Sequence, residues 1–362
     1  MSTWSKRTPV IAFAMLVFLT SAVSADNIVQ KKWSCLDQTI VHGNCMAYDP
    51  ASHKLLIPQV NEDGPIYVFN ADDGSLETMT LNKGSEVFGD LGCFAIGAAP
   101  DGRIFGHVHD PNRRFVVWDT INDDHPSTYP LPDSRLTRNM EIYTSASATT
   151  VYLSGEVDSG PIEVFCSNSA GDFELEELIG GVGADPPGPG GKSGVAADSA
   201  YPASIIFGSE VFSTIGIHRW ERQNGVMHYI EDVPMPADVG SVPVADVAYD
   251  PASDGLIFAL VCQTSRTSTP CRILAINAKT YDEEGRYELP RADAAYQRGS
   301  LVVDRENRRL YWYGRPEASS KDNPLGHWGC LEYEIPEPAT VCVLGMGSLM
   351  LFRRTRLRLN IA

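Results

Sequence analysis

Two histidines in the stretch "FGHVHDP", His107 and His109, have a spacing that could hold a metal ion. Alternate residues of a strand point to the same side, so both imidazoles would face one way, and Asp110 follows directly. No third ligand can be named from the sequence. A solvated pair at the edge of a sheet explains the same pattern, and we favour that interpretation. The sequence predicts no cofactor.

The segment Gly180 to Gly194, "GGVGADPPGPGGKSG", invites comparison with a phosphate-binding loop through Gly191, Lys192 and Ser193. Such a loop needs a glycine five residues before its second glycine, and Pro186 occupies that position. The residues that follow are typical of a strand, whereas a phosphate-binding loop opens a helix. We therefore predict a solvated loop. The chain also lacks the G-x-S-x-G pattern of a nucleophile elbow.

Acidic turns and clustered aromatic residues have simpler explanations than ligand binding. Asp72 with Asp73, and Asp123 with Asp124, could bind calcium but lack the spacing of an EF-hand. Turn formation explains them more simply. The stretch "LYWYG", Leu310 to Gly314, could stack on a sugar, but alternation places its tyrosines on one side and Trp312 on the other. Packing between sheets is the favoured interpretation.

Six similar units, which would position these residues, follow one another between residues 26 and 335. "CMAYDPASHKLLIPQ" and "DVAYDPASDGLIFAL" share Ala-Tyr-Asp-Pro-Ala-Ser, and weaker versions occur elsewhere. Such self-similarity is typical of a repeat architecture. The units begin near residues 45, 94, 143, 195, 246 and 300, about 50 residues apart.

Each unit contains four short strand-like runs separated by turns. The third runs alternate and are rich in β-branched and aromatic residues, for example "IYVFN" and "RILAIN". The fourth runs follow turns such as "ADDG" and "RQNG", which favour hairpins. Four antiparallel strands repeated six times predict an all-β, six-bladed β-propeller. The pattern resembles the YVTN, NHL and WD40-like propellers in general style.

The sixth unit has no fourth strand before the chain changes character at residue 336. The run "NIVQKKWSC", Asn27 to Cys35, is a lone strand candidate ahead of the first unit. Because propellers commonly close their ring with a strand from the other end of the chain, we predict that this N-terminal strand completes the last blade.

Seven of the eight cysteines lie between residues 26 and 335. Cys262 and Cys271 bracket a polar loop between two strand-like runs and are the best candidate disulfide. Ring closure would bring Cys35 near Cys330, which makes a second bond possible. Cys45 and Cys93 enter neighbouring innermost strands and form a third candidate pair, which would leave Cys166 free.

The first 25 residues have the layout of a secretory signal peptide. Lys6 and Arg7 precede an apolar run from Val10 to Leu19, and cleavage is expected after Ala25. A permanent anchor is the alternative, but the run is short against the roughly 20 residues of a spanning helix.

The tail, residues 336–362, has three parts: Pro336-Glu337-Pro338, an apolar run over 339–352, and arginines within 353–358 that include Arg353 and Arg354. This order resembles the PEP-CTERM sorting signal of exopolysaccharide-producing Gram-negative bacteria. The resemblance implies a short transmembrane helix, recognition by an exosortase in the inner membrane, and processing during export. A buried core helix is the alternative, but a core has little room for the arginines.

A net charge of −17 indicates which partners the protein can bind. Six of the basic residues lie in the two end segments, so the predicted propeller is still more acidic and should not bind nucleic acid. We expect a protein that signal peptidase and an exosortase process, held in the inner membrane before processing and at the cell surface or outside the cell afterwards. There it would serve as a binding or structural module for a polysaccharide or an envelope protein. The alternative is a propeller enzyme, a lyase or glycoside hydrolase, with paired carboxylates at the channel.

Overall fold

The computed structural model describes residues 28–335, with gaps at 39–42, 60–63, 85–91, 109–112, 132–136, 156–159, 169–170, 182–183, 187–188, 190–192, 210–215, 240–242, 263–270, 290–295, 317–318 and 320–324. The predicted signal peptide and the whole sorting tail, with Pro336, Glu337, Pro338, Arg353 and Arg354, lie outside the described residues. Within the described part, no helix has the length and apolar character needed to cross a bilayer.

Twenty-four strands form six antiparallel sheets of four strands each, which confirms the predicted six-bladed propeller. We number the blades in chain order, and in blades 1 to 5 the strands follow one another from the inside out. Blade 1 contains β2 (Ala47–Asp49), β3 (Lys54–Pro58), β4 (Ile66–Asn70) and β5 (Leu76–Leu81). Blade 2 contains β6 (Cys93–Ala98), β7 (Ile104–Val108), β8 (Arg114–Trp118) and β9 (Ser127–Pro130). Blade 3 contains β10 (Thr137–Thr144), β11 (Thr149–Gly155), β12 (Ile162–Ser167) and β13 (Phe173–Ile179).

Blades 4 and 5 repeat this arrangement. Blade 4 contains β14 (Gly194–Ala197), β15 (Ile205–Ser209), β16 (Ile217–Gln223) and β17 (Val226–Asp232). Blade 5 contains β18 (Val244–Asp250), β19 (Leu256–Val261), β20 (Arg272–Asn277) and β21 (Glu283–Glu288). Blade 6 contains β22 (Tyr296–Asp304), β23 (Arg309–Pro316) and β24 (Gly326–Tyr333), and its fourth strand is β1 (Val29–Gln38).

The shared Ala-Tyr-Asp-Pro-Ala-Ser motif forms the turn between the first and second strands of blades 1 and 5. Asp49 accepts a hydrogen bond from the backbone N–H of Ala51 at 3.0 Å, and Asp250 accepts the equivalent bond from Ala252 at 2.9 Å. Capping by an aspartate side chain is the reason these turns favour this residue. The chain leaves both turns through a residue with positive φ, at His53 and Ser253.

The N-terminal strand closes the ring, as predicted. β1 pairs antiparallel with β24, in a register that runs from Val29 opposite Tyr333 to Gln38 opposite Gly326. Lys32 and Glu332 form an ion pair of 2.6 Å across this seam. The closing strand begins two residues later than the predicted one and ends three residues beyond Cys35.

The core consists of interfaces between successive blades. In β23, Tyr311 and Tyr313 pack with residues of blade 1, and Tyr311 stacks on Tyr48 with ring centroids 4.9 Å apart. Trp312, on the opposite side of the same strand, belongs to the cluster with blade 5. The side chains of Tyr311, Trp312 and Tyr313 are all buried. The alternation predicted for this stretch therefore serves blade packing on both sides.

Candidate functional site

Of the two histidine candidates, His107 lies among the described residues, in blade 2. His107 lies in β7, fully buried, and its Nε2 accepts a hydrogen bond from Nε of Arg113 at 2.9 Å. His109 lies outside the described residues, so the metal prediction remains untested. The expectation of a solvated pair is wrong for His107, because its side chain is fully buried. Among the described residues, no group of three or more His, Cys, Asp or Glu side chains could hold a metal ion.

Two of the three predicted cysteine pairs are neighbours in the structure. Cys262 and Cys271 are hydrogen-bonded to each other, and that bond together with burial raises the pKa of Cys262. Burial also raises the pKa of Cys93 to about 12 and that of Cys45, to which the nearby Cys93 contributes. Raised pKa values keep these groups as thiols at neutral pH, the less reactive form. Whether the pairs oxidise remains a prediction.

Cys35 and Cys330 lie in the closing seam, where Cys35 is opposite Trp328 and Cys330 is opposite Trp33. Both carry free thiols in the structure. The Cys35 thiol donates to the carbonyl of Gly74 at 3.5 Å, in blade 1. The seam therefore places the two cysteines two register positions apart, and a bond between them remains a prediction.

A cavity of about 290 Å³ lies on the axis of the ring, and all six innermost strands line it. Counting back from the turn that ends each strand, one equivalent position per blade faces this cavity. Five of these positions are apolar and the sixth, in β10, is glutamate: Met46, Ile96, Glu141, Val195, Val247 and Leu301. The charged side chain in an otherwise apolar ring marks a functional candidate.

We call the end of the cavity where the innermost strands finish the mouth; Tyr48, Tyr143, Asp304, Arg305 and Glu306 line it. Arg305, in the turn after β22, reaches across the axis to three other blades. It contacts side chains of blade 3 and backbone carbonyl groups of blades 4 and 5. Its Nη2 donates to Tyr143 Oη at 2.7 Å, to the Tyr249 carbonyl at 3.0 Å and to the Ala197 carbonyl at 3.2 Å, and it lies 3.4 Å from Glu141 Oε1. Blades 3, 4, 5 and 6 thus meet at one guanidinium group.

Glu141 and Tyr143 complete this cluster from β10. Tyr143 lies 2.7 Å from Glu141 Oε1, and the backbone N–H of Ala197 donates to Glu141 Oε2 at 2.6 Å. Burial raises the pKa of Glu141, although Arg305, Tyr143 and Ala197 all act to lower it. Burial acts to lower the pKa of Arg305, but Tyr143 and Glu141 outweigh that effect and raise it. The Arg305 guanidinium therefore stays charged in the cavity.

A chain of polar side chains leads from the mouth to the surface of blade 1. Tyr48 Oη lies 2.9 Å from His53 Nδ1, and His53 Nε2 lies 3.1 Å from Asp72 Oδ1. Arg309 of blade 6 approaches the same Asp72 oxygen at 3.1 Å. Hydrogen bonding to His53 lowers the pKa of Asp72. The order tyrosine, histidine, aspartate resembles a proton relay in its geometry.

Beneath the cavity, Asp246 of β18 joins several innermost strands. Its Oδ2 accepts hydrogen bonds from Asn139 Nδ2 at 2.5 Å and from the Leu301 N–H at 2.6 Å, while Oδ1 accepts one from the Val247 N–H at 2.8 Å. Gly194 provides the space, because a Cβ there would lie 2.1 Å from Asp246 Oδ1. This carboxyl group connects blades 3, 5 and 6 on the axis.

The solvated loop predicted over Gly180 to Gly194 does not extend to Ser193. That side chain is buried, and its hydroxyl donates to the Val244 carbonyl at 3.0 Å and lies 3.2 Å from Ser209 Oγ. It therefore joins the polar layer beneath the cavity instead of facing a phosphate. Gly191 and Lys192 lie outside the described residues.

Replacing Asp246 by asparagine should change how stability depends on pH. Burial raises the pKa of Asp246 from 3.8 to about 8, against the hydrogen bonds that lower it. Between these values the folded chain binds a proton that the unfolded chain releases, so this group makes the wild type less stable as pH rises from about 4 to 8. Over this window, the stability of the Asp246→Asn variant should therefore rise relative to the wild type.

Urea unfolding at several pH values between these limits measures that difference, since contributions from other groups cancel between the two proteins. Asp254→Asn is a matched control, because Asp254 is exposed and forms a 3.5 Å surface pair with Lys279. The difference in the free energy of unfolding between Asp254→Asn and the wild type should not change with pH in this way. A difference for Asp246→Asn that does not vary with pH would contradict the assignment.

The sequence does contain a signal for Arg305, in the turn that follows each innermost strand. In blades 1, 2 and 5 the corresponding turn position is proline, namely Pro50, Pro100 and Pro251. Blade 6 has arginine there, and the following turn faces the axis. A departure of this kind from a repeat consensus, like the single glutamate at position 141, identifies residues that the repeat itself does not require.

No family model matches this chain, and no curated protein matches it either. Among solved structures, the chain is similar to the PQQ-bound form of an aldose sugar dehydrogenase from Streptomyces coelicolor. The two share 14% sequence identity and a TM-score of 0.50, over 82% of this chain and 98% of the other. At this level of identity the similarity shows a shared fold, and the chain is a β-propeller of that general architecture.

Proposed function

We propose that this protein is an exported propeller that binds a ligand at the mouth of its axial cavity and serves as a binding or structural module of the cell envelope or extracellular matrix. The observation that carries this proposal is the cluster of Arg305, Glu141 and Tyr143 at one end of a cavity that is otherwise mainly apolar. Apolar walls with a few convergent polar groups are typical of small-molecule sites. The fold alone selects no ligand.

Support for binding comes from the exposure of the cluster. About a third of the Arg305 side chain and a quarter of the Glu141 side chain remain accessible, at 32% and 26%. The Arg113–Glu163 pair, by contrast, is only 2% and 3% exposed. A purely structural ion pair needs no opening to solvent, whereas a recognition site does.

Replacing Arg305 by methionine should therefore weaken binding of the producing cell's own exopolysaccharide by at least about tenfold, since hydrogen bonds to a charged group contribute roughly 1.5 to 3 kcal/mol. Calorimetric titration of the purified full chain measures the change. Arg308→Met is the matched control, because Arg308 is exposed on the same turn and does not line the cavity. Equal binding by wild type and Arg305→Met would contradict the proposed site.

The enzyme alternative has one observation in its favour, the chain from Tyr48 through His53 to Asp72. Three carboxylates, Glu141, Asp304 and Glu306, line the same cavity. Two of them already have partners, because Glu141 binds the Ala197 N–H and Asp304 binds Asn307 Nδ2 at 2.8 Å. Product release from the same polysaccharide, lost in Tyr48→Phe, would establish the enzyme and overturn the binding module.

PQQ, which the similar dehydrogenase holds, is a polycarboxylate, and the described residues lining this cavity fit it poorly. Arg305 is the one cation among them, and Glu141, Asp304 and Glu306 place three carboxylates around it. An anionic cofactor would be repelled by this set of charges. We therefore assign no quinone chemistry to the cavity.

Export and sorting are supported by the sequence, through the signal-peptide layout of residues 1–25 and the three-part tail from Pro336. We propose that signal peptidase and an exosortase process the chain, that it is held in the inner membrane until the tail is removed, and that it then reaches the cell surface or medium. Deletion of Pro336 to Pro338 should leave the protein in the inner-membrane fraction. Unchanged release into the medium would count against this route.

A further inference from the structure

At the mouth, Arg305 has hydrogen-bond donors that make no bond to the described residues. All hydrogen bonds that Arg305 makes to described residues run through Nη2. A guanidinium group has five N–H donors, so those on Nε and Nη1 remain for a ligand. The Arg305 guanidinium also lies over the Tyr143 ring at 5.3 Å, which fixes its plane. A rigid fork with unused donors is suited to an acceptor pair on the ligand.

The mouth also offers acceptors. Glu306 follows Arg305 in the chain, lines the cavity and is exposed, and within the described part of the chain its carboxylate accepts no hydrogen bond. Glu141 Oε1 faces the same space and shares its bonds with Tyr143 and Arg305. A ligand here meets donors and acceptors within one small volume.

Neither a fully anionic nor a fully cationic ligand complements all the side chains of the mouth. Three carboxylates outnumber the single cation among the lining residues, so an anion is repelled overall. A cation would be attracted overall, but it would lie against the Arg305 guanidinium. The unused N–H groups of Arg305 need hydrogen-bond acceptors, which a cationic group does not supply. A neutral ligand whose hydroxyl groups both donate and accept meets all of these side chains without a charge penalty.

Size and wall chemistry narrow the class further. A volume of about 290 Å³ is at the small end of ligand sites, which start near 300 Å³. The walls below the mouth are aliphatic, with Ile96, Ile142 and Val247 among them. Such walls suit the C–H faces of a single ring, while the hydroxyl edge points to the mouth.

We propose that the mouth binds a neutral polyhydroxyl ring, the terminal sugar residue of an uncharged glycan. Arg305 donates to two adjacent ring hydroxyls through Nε and Nη1, and Glu306 accepts from a neighbouring hydroxyl. This inference rests on the proposed function and adds the ligand class to it. It also predicts that a glycan enters by its end, because the cavity accommodates one ring and no chain passing through.

A charge-matched series of sugars tests the ligand class. We would titrate the purified full chain, by calorimetry, with glucose and galactose, with glucuronate and galacturonate, and with glucosamine and galactosamine at a pH where the amines are protonated. At least one neutral hexose should bind with a Kd in the millimolar range or tighter. The matching uronate and amino sugar should bind at least about tenfold more weakly, and raising the salt concentration should leave the neutral sugar's Kd unchanged.

Variants separate this inference from the proposed function. Arg305→Met should abolish hexose binding, Glu306→Gln should weaken it about threefold, and Arg308→Met should have no effect. Because Glu306 is exposed, its variant keeps the result interpretable if Arg305→Met fails to fold. Tighter binding of a uronate or an amino sugar, lost in Arg305→Met, would overturn the ligand class and leave the site standing. If no hexose bound, the ligand class would be overturned. If every probe bound equally well to the wild type and to Arg305→Met, both the ligand class and the proposed site would be overturned.

Discussion

Replacing Glu163 by glutamine should lower the free energy of unfolding by about 3 to 5 kcal/mol, because it leaves the charge of Arg113 buried without its counterion. Glu163 of β12 and Arg113, directly before β8, form a two-pronged pair with distances of 2.5 and 3.3 Å. Both side chains are almost fully buried, and Arg113 also donates to His107. The pair connects the third strands of blades 2 and 3.

Replacing both partners should be far less harmful than replacing one. In Arg113→Met with Glu163→Met, both charges of the pair are removed together, and exchanges of this kind are often close to neutral. Lys279→Met serves as the surface control: its 3.5 Å pair with Asp254 is exposed, so a loss below about 1 kcal/mol is expected. Chemical denaturation gives all these values. If Glu163→Gln lowered the free energy of unfolding by less than about 1 kcal/mol, the prediction would be contradicted, because burying Arg113 without its counterion would then cost little.

Removing β1 should abolish cooperative unfolding. Without residues 28–38, blade 6 keeps three strands, and the edge of β24 loses the partners that run from Val29 to Gln38. The seam also covers apolar side chains, since Trp33 packs with Tyr311 at a ring distance of 6.4 Å. An uncovered, apolar strand edge favours aggregation. Thermal unfolding followed by near-UV circular dichroism should therefore show no sharp transition.

A circular permutant provides the control for the deletion. Because Val29 lies opposite Tyr333, a short hairpin can join the end of β24 to the start of β1, with a new N-terminus before Gly43. This chain keeps every strand and changes only the connection. We expect a Tm within a few degrees of the wild type. Failure of the permutant to fold would show that the N-terminal position of β1, and not its pairing, is what the ring requires.

The propeller could be predicted because its information is local and repeated. Turn residues such as Asp49 and Asp250 and the alternating third strands recur at a constant spacing, so six weak signals support one another. The missing fourth strand of the last unit also predicted the closure by β1. Only its bounds differ, since register at the seam depends on pairing with β24 and not on the sequence of β1 alone.

The site could not be predicted, because its residues come from distant parts of the chain. Arg305 meets Glu141 across 164 positions, and Asn139 meets Asp246 across 107. Only the closed ring places such residues on one axis. His107 was predicted to be solvated for a related reason: its strand spacing carries no information on what covers it, and in the fold its buried Nε2 accepts a hydrogen bond from Arg113. Deviations from the repeat consensus are the signal that carries over to similar chains.

The position of β24 between β1 and β23 determines how the molecule responds to mechanical load. The chain leaves the ring through β24, so a pull on any tether beyond residue 335 acts along an interior strand and shears two hydrogen-bonded ladders at the same time. A tether on an edge strand would instead peel one ladder bond by bond. A propeller held by its C-terminal end in flowing liquid would thus resist unravelling through the seam that closes its ring.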